Sequence, residues 1–246
     1  MRGYAKEGVP EKIRAAGGEI YAITSEPQGL ASRAQEEWGF GFESVGDPHH
    51  EIVGTCRERG WLDLFVNPRL GFLRSSAPAE LGWTPQHPKG YFQPGVLVLG
   101  ADGRVLYRWR GVPSRKNMGG ATERPTAEHV WSRVESALES AGPDTALDSD
   151  PPLDSRGVPW PLFVSLLVAN GWFVRPRGFA HLEGGPPPQV RAQWALFRVV
   201  GFAAAWIAAF TWLPTLPVAA GLAGWIAWIT PRIRVLNAEF QNVRAA

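Results

Sequence analysis

Val199–Thr230 is a run of 32 residues without a charged side chain. No other stretch constrains the chain so strongly. A modest soluble core seldom hides that much continuous apolar sequence, whereas a bilayer takes about 20 apolar residues per helical span. The run is too long for one ordinary span, and Pro214 and Pro217 break it in the middle. It predicts two helices, Trp194–Leu213 and Val218–Ile233, joined by Pro-Thr-Leu-Pro. At roughly 1.5 Å per residue the first is about 30 Å long with Arg198 snorkelling outward, and the second is about 24 Å, short for a span. Gly221, Gly224 and the nearby alanines would let the helices approach closely. Trp194, Trp206, Trp212, Trp225 and Trp228 fall near the ends or along the faces, where indoles favour a membrane interface.

Arg191, Arg198, Arg232 and Arg234 flank this unit. A hairpin brings its outer ends to one side, and excess arginine marks the cytosolic side. The expectation is a membrane hairpin over residues 191–236, touching lipid along 194–233, with the N-terminal domain on the cytosolic side. A hairpin held in one leaflet and a buried pair of soluble helices are the alternatives. Upstream, Trp160–Phe173 is a shorter apolar segment, read as an interfacial or core helix rather than a span.

The remaining chain has a different character. A net charge of +2 over 246 residues is too small to argue for nucleic acid. The single cysteine, Cys56, excludes an internal disulfide or a CxxC pair and favours a reducing compartment. The opening MRGYAKEGVP has no apolar run of the kind a signal peptide uses.

Local patterns predict a helix end at Glu7–Ala16 stopped by Gly17-Gly18, then a buried strand, Glu19–Thr24. A polar helix follows at Pro27–Trp38, then a short strand at Phe40–Val45 and a Gly-Asp-Pro turn with Asp47 as helix cap. His49–Arg59 is the next helix and carries Cys56. Gly60–Tyr91 is long and irregular, with a short strand at Leu62–Val66. Val96–Leu99 and Arg104–Trp109 form a hairpin about Asp102-Gly103, where glycine supplies the positive φ of a tight turn. Thr126 caps a helix, Ala127–Ser140, with Val130, Val134 and Leu138 as its apolar face. Gly142–Pro159, rich in Pro, Asp and Ser, reads as a linker.

Several stretches carry a resemblance. GGEIYAITSEPQG, FGFESVGDPHHEI, YFQPGVLVLGADGRVLYRW and RPTAEHVWSRVESAL occur in the order used by the peroxiredoxin-like (AhpC/TSA-type) branch of the thioredoxin superfamily. The N-terminal 140 or so residues resemble that branch. The resemblance implies an α/β, thioredoxin-like sheet lacking its first strand and reactive-Cys turn, followed by the two-helix apolar hairpin. In the family the reactive cysteine starts the first helix, where free N–H groups and the helix dipole lower a thiol pKa. The chain begins inside that helix, so it is expected to be an N-terminally incomplete piece of a longer protein. The resemblance implies that Gln93 and Pro94 face substrate, with Pro94 at the family's cis-proline position; cis and trans both stay open.

Other chemistry is sparse. Cys56, late in its helix, is either a redox thiol or a small apolar residue. His49, His50, Glu51 and Cys56 are metal-ligand types, but adjacent histidines point about 100° apart and no zinc frame is present, so no metal is expected. Arg115, Lys116 and Arg124 lie in a Gly-rich loop that either binds an anion or is a solvated charged loop. No nucleotide or serine-hydrolase motif occurs, and no cofactor is expected.

The expected plan is a thioredoxin-like domain over 1–141, a linker over 142–159, an interfacial apolar segment with a Pro-rich linker over 160–190, the hairpin over 191–236 and a tail over 237–246. The expected function is a membrane-anchored thiol redox protein that reduces peroxides or exchanges disulfides in its full-length form with a thiol electron donor, this chain alone being inactive. The alternatives are a non-catalytic thioredoxin-like binding module at a membrane and a lipid- or pigment-associated membrane protein.

Overall fold

The computed structural model describes residues 4, 7–39, 41–68, 88–113, 123–154, 158–179, 186, 188–241 and 244–245. The chain divides into two units. The first comprises Met1–Pro68, Gln86–Gly157 and Val243–Ala246, and the second Arg69–Pro85 and Val158–Asn242.

In the first unit Pro10 starts helix α1, Val9–Ala15, and Gly17, at φ 79°, follows its end. Strand β1, Tyr21–Thr24, helix α2, Gln28–Trp38, and strand β2, Glu43–Gly46, form a parallel βαβ unit pairing Tyr21 with Glu43 and Thr24 with Gly46. Helix α2 closes the outer edge of β2 with side chains. Gln35 Oε1 accepts from Ser44 N at 2.6 Å, Gln28 Nε2 donates to Ser44 O at 2.9 Å, and Gln28 Oε1 accepts from Gly46 N at 2.7 Å. β1 differs from expectation. Only Ala22 is buried, while Tyr21 and Ile23, which share the other face, are 56% and 39% exposed. Apolar composition alone suggested a strand covered on both faces; here one face is left to solvent.

Asp47 caps helix α3, Glu51–Glu58, from four residues upstream. Its carboxylate accepts from Glu51 N at 2.7 Å and Val53 N at 3.1 Å. The formal cap position holds His50, at φ 61°. Strand β3, Phe65–Asn67, pairs antiparallel with β4, Tyr91–Phe92, and with β7, Arg244–Ala245. The expected tail over 237–246 is thus partly a strand.

Strands β5, Gly95–Leu99, and β6, Val105–Arg110, form the expected hairpin, with a bulge at Val98/Leu99. Gly103, at φ 82°, occupies the turn, and Asp102 Oδ1 accepts from Arg104 N at 3.0 Å. Helix α4, Ala127–Glu139, starts where Thr126 Oγ1 accepts from His129 N. Val130, Val134 and Ala137 pack on Leu106, Tyr107 and Trp109. Leu138, expected on this face, is 53% exposed. Ala137 replaces it because its position on the helix turns toward the sheet.

The expected linker is instead a strap. Thr145 N donates to Val105 O and Asp148 N to Arg108 O along β6, while Val105 N donates to Asp144 Oδ1. Farther on, Thr126 N donates to Pro152 O and Asp154 N to Arg124 O. Asp144, Thr145 and Asp148 supply partners to an edge strand, a role that composition does not distinguish from solvated linker.

The first unit therefore contains three small sheets, of two, three and two strands. Among the described residues β1 pairs only with β2, and β5 only with β6. The pairing of Pro94 O with Gly111 N sets the alternation that turns the backbone groups of Gly95, Leu97 and Leu99 away from β6.

In the second unit helix α5, Trp160–Asn170, is followed by α6, Pro188–Trp212, and α7, Thr215–Gln241. Val164, Leu167 and Val168 of α5 pack on Ile229 and Leu236 of α7, with Trp160, Phe163 and Phe240 alongside. Helices α6 and α7 turn at Leu213-Pro214. Phe202 meets Trp225 with centroids 4.8 Å apart, and a Cβ on Gly221 would lie 3.6 Å from Trp206. The predicted Pro-Thr-Leu-Pro connection is shorter, because Thr215, Leu216 and Pro217 form the first turn of α7 and proline is tolerated there. Within α6, Val190–Trp212 is long and apolar enough to cross a membrane, and among the described helices it alone is. α7 is not, since Thr, Pro and Gly dilute its apolar half and Arg232 and Arg234 follow closely.

Two outcomes test this packing. A Cβ on Gly46 would sit 2.6 Å from both Gln28 N and Glu26 O, backbone atoms that cannot swing away. Gly46→Ala should lower stability by about 1–3 kcal/mol, read as an earlier urea midpoint at unchanged slope. Asp148→Ala should cost roughly 2 kcal/mol by releasing the strap.

Candidate functional site

Ser25 after β1, Phe65 and Asn67 of β3, and His50 before α3 meet the 90–93 stretch that leads into the Gln93–Pro94 bend. Phe92 N donates to Ser25 Oγ at 3.3 Å, and Gln93 N donates to Phe65 O at 2.8 Å. Asn67 Nδ2 donates to Tyr91 Oη at 2.9 Å. The His50 ring lies against Phe92 with centroids 4.7 Å apart, and its Nε2 is 3.3 Å from Gly90 O. Ser25, Asp47, Asn67 and Gln93 are all buried. The ends of parallel strands are where open α/β sheets commonly place ligands.

Gln93 is the unusual member. It is 2% exposed, yet its Oε1 has no hydrogen-bond partner. Leaving a buried amide oxygen unpaired costs about 1–3 kcal/mol, so the position holds an unused acceptor. Pro94 follows a trans peptide bond, and its carbonyl accepts from Gly111 N at 2.7 Å.

Cys56 lies in the last turn of α3 and is half-buried. Burial pushes its thiol pKa up, the Asp47 carboxylate adds to this, and Arg59 opposes it only partly. The resulting thiol is mostly protonated at neutral pH and a poor nucleophile. His49, His50 and Glu51 do not gather around it. Lys89 Nζ donates to the His49 carbonyl, Glu51 N is bound by Asp47, and His50 faces Phe92. Among the described residues no three His, Cys, Asp or Glu side chains are grouped as metal ligands.

Arg115 and Lys116 lie outside the described residues. Arg124 is packed rather than solvated. Its Nη1 donates to Glu123 O, Tyr4 Oη donates to the neighbouring Pro125 O, and burial lowers its pKa against an opposing effect from Tyr4.

One polar cluster had no sequence signal. His129 Nε2 is 2.7 Å from Asp148 Oδ2, and Tyr107 Oη donates to the same oxygen at 3.0 Å. An imidazole beside a carboxylate is a familiar way to orient a general base. Here the shared oxygen instead joins β6, α4 and the strap. Burial alone would raise the Asp148 pKa, but hydrogen bonds from His129, Tyr107 and the Asp150 amide lower it overall. The three residues are 22 and 19 positions apart, too far for a motif to reveal.

No protein-family model, curated protein or solved structure matches the chain.

Two pH dependences follow. Because folding lowers the Asp148 pKa, its contribution is complete above the unfolded value of about 3.9 and is lost as pH falls through the folded value. Acid unfolding of Asp148→Asn should therefore be less steep below about pH 4, read by circular dichroism. Alkylation of Cys56 by iodoacetamide should have its pH midpoint above that of free cysteine, about 8.5; a midpoint below it would contradict the burial argument.

Proposed function

We propose that this chain is a membrane-attached, thioredoxin-like binding module whose working surface is the Gln93–Pro94 bend. The observation that carries the membrane half is α6. Val190–Trp212 is a 23-residue apolar helix in which 6% of the most apolar window is buried. So much exposed apolar surface is costly in water and neutral in lipid. The order of strands, helices and hairpin supports the thioredoxin-like reading. The one-sided pairing of β1 and β5 fits a sheet whose central strand does not come from the described residues.

Cys56 supports binding over thiol chemistry in this chain. Its thiol is half-buried, raised in pKa and away from a helix N-terminus. The unpaired Gln93 carbonyl lies buried beneath the bend, and half-buried Pro94 with exposed Gly95 forms the outer face that a partner would meet. Arg191, Arg198, Arg232 and Arg234 lie toward the ends of α6 and α7 away from the Leu213-Pro214 turn, and by the tendency of arginine to stay on the cytosolic side we read those ends as cytosolic.

A second reading keeps the same bend but has it face a thiolate other than Cys56. The protein would then reduce peroxides or exchange disulfides with a thiol electron donor. The half-buried Pro94 at the bend, beside exposed Gly95, supports it as a substrate-facing wall.

Membranes from cells expressing the chain, washed with alkaline carbonate, test the anchor: the chain stays in the pellet, and full release contradicts the reading. Peroxide consumption with a dithiol donor tests the chemistry. The chain and Cys56→Ser should both match the buffer rate. A rate above buffer that Cys56→Ser abolishes would overturn the binding reading.

A further inference from the structure

The turn between the two long helices is bare. Every residue from Phe210 to Pro217 is exposed, with Trp212 and Leu216 both at 81%. Pro214 and Pro217 bring no N–H group to this turn. Among the described residues Leu213 N donates to Ala209 O, but no hydrogen bond reaches the carbonyls of Phe210, Thr211, Trp212 and Leu213. The last carbonyls of a helix need water or another donor, and hydrocarbon supplies neither.

The shaft of the hairpin has the opposite character. Val199–Thr230 carries no charge. Thr211 Oγ1 donates to Ile207 O at 2.8 Å and Thr230 Oγ1 to Ile226 O at 2.7 Å, so both hydroxyls are paired within their own helices. Val200, Gly201, Ala203 and Ala205 are exposed on three sides of α6, while Phe202 and Trp206 turn to α7. A helix lying along a membrane surface keeps a charged face toward water, and this shaft presents no charged side chain on any side.

Arginine and indole gather at the base. The Arg198 guanidinium lies over the Trp172 ring and that of Arg232 over the Trp228 ring, each 4.0 Å from the centroid. Trp225 Nε1 donates to Phe173 O at 2.9 Å and Trp228 Nε1 to Val174 O at 3.1 Å, so the turn after α5 ties both pairs to one end of the hairpin. Such groups favour headgroup depth. Trp212 stands 18 residues after Trp194, about 27 Å along the helix; this is close to the hydrocarbon thickness of about 30 Å and nearly twice the depth of one leaflet.

We propose that the hairpin crosses both leaflets and delivers the Leu213–Pro217 turn to the membrane face opposite its arginines. There the free carbonyls meet water and headgroups, and Trp212 lies at the far interface. A hairpin ending at the midplane would bury those carbonyls in hydrocarbon. The proposal rests on the membrane reading above.

The test uses the full chain with Cys56→Ser and one new cysteine, in sealed right-side-out and inside-out membrane vesicles treated with a membrane-impermeant maleimide. Thr215→Cys marks the turn, Leu216→Cys repeats it at the next exposed position, and Gln193→Cys marks the exposed base of α6. Detergent should make all three thiols react. In sealed vesicles the two turn thiols should be labelled in one orientation only and Gln193→Cys in the other only. Turn thiols that react in neither orientation until detergent is added overturn the crossing in favour of a hairpin held in one leaflet. Turn and base thiols labelled in the same orientation overturn it as well. Carbonate extraction separates the failures: a released chain refutes the membrane reading and the crossing together, while a retained chain with either of those labelling patterns refutes the crossing alone.

Discussion

Each strand in a small sheet has backbone groups that need partners on both sides. In the α/β unit most of that demand is met without further strands. Gln28 and Gln35 serve the outer edge of β2, and Asp144, Thr145 and Asp148 serve β6. Arg108 and Arg110 anchor the carbonyls of Gly60, Trp61 and Asp63. This lets three short sheets share one unit. Among the described residues β1 and β5 each keep one edge without a paired strand.

The same demand explains what the sequence could reveal. The hairpin was legible because apolar alternation and Asp102-Gly103 act locally, and α4 because Thr126 and its valines do. Asp47 was legible as a cap even though it acts across His50. The strap was not legible. Its role depends on β6 lying beside it, and the Asp148 cluster is assembled from three distant stretches. Burial of β1 was overstated because an apolar run records a preference for cover and not whether cover exists. In the candidate site, Gln93 and Pro94 were legible through resemblance, whereas the unpaired oxygen of Gln93 could be found only from its surroundings.

The helical unit answers to another constraint. α5 and α7 share a buried cluster and α5 also packs along α6, while both long helices keep large apolar side chains exposed, Phe197, Val200 and Ile207 on α6 and Leu216, Ile226 and Trp228 on α7. Counting uncharged residues treated α6 and α7 alike. Composition separates them, because Arg232 and Arg234 close off the second apolar run, whereas α6 continues uncharged from Val199 to Trp212. The aromatic turn after α5 then ties both long helices together through Phe202, Trp225 and Trp228.

The central claim is that the exposed face of α6 lies in lipid. A nitroxide attached through Ala204→Cys, in a Cys56→Ser background, reports this from an exposed position midway along the helix. With the chain reconstituted in vesicles, its relaxation should respond more to oxygen than to a water-soluble nickel chelate. A nitroxide relaxed chiefly by the nickel chelate would place α6 in water and contradict the account.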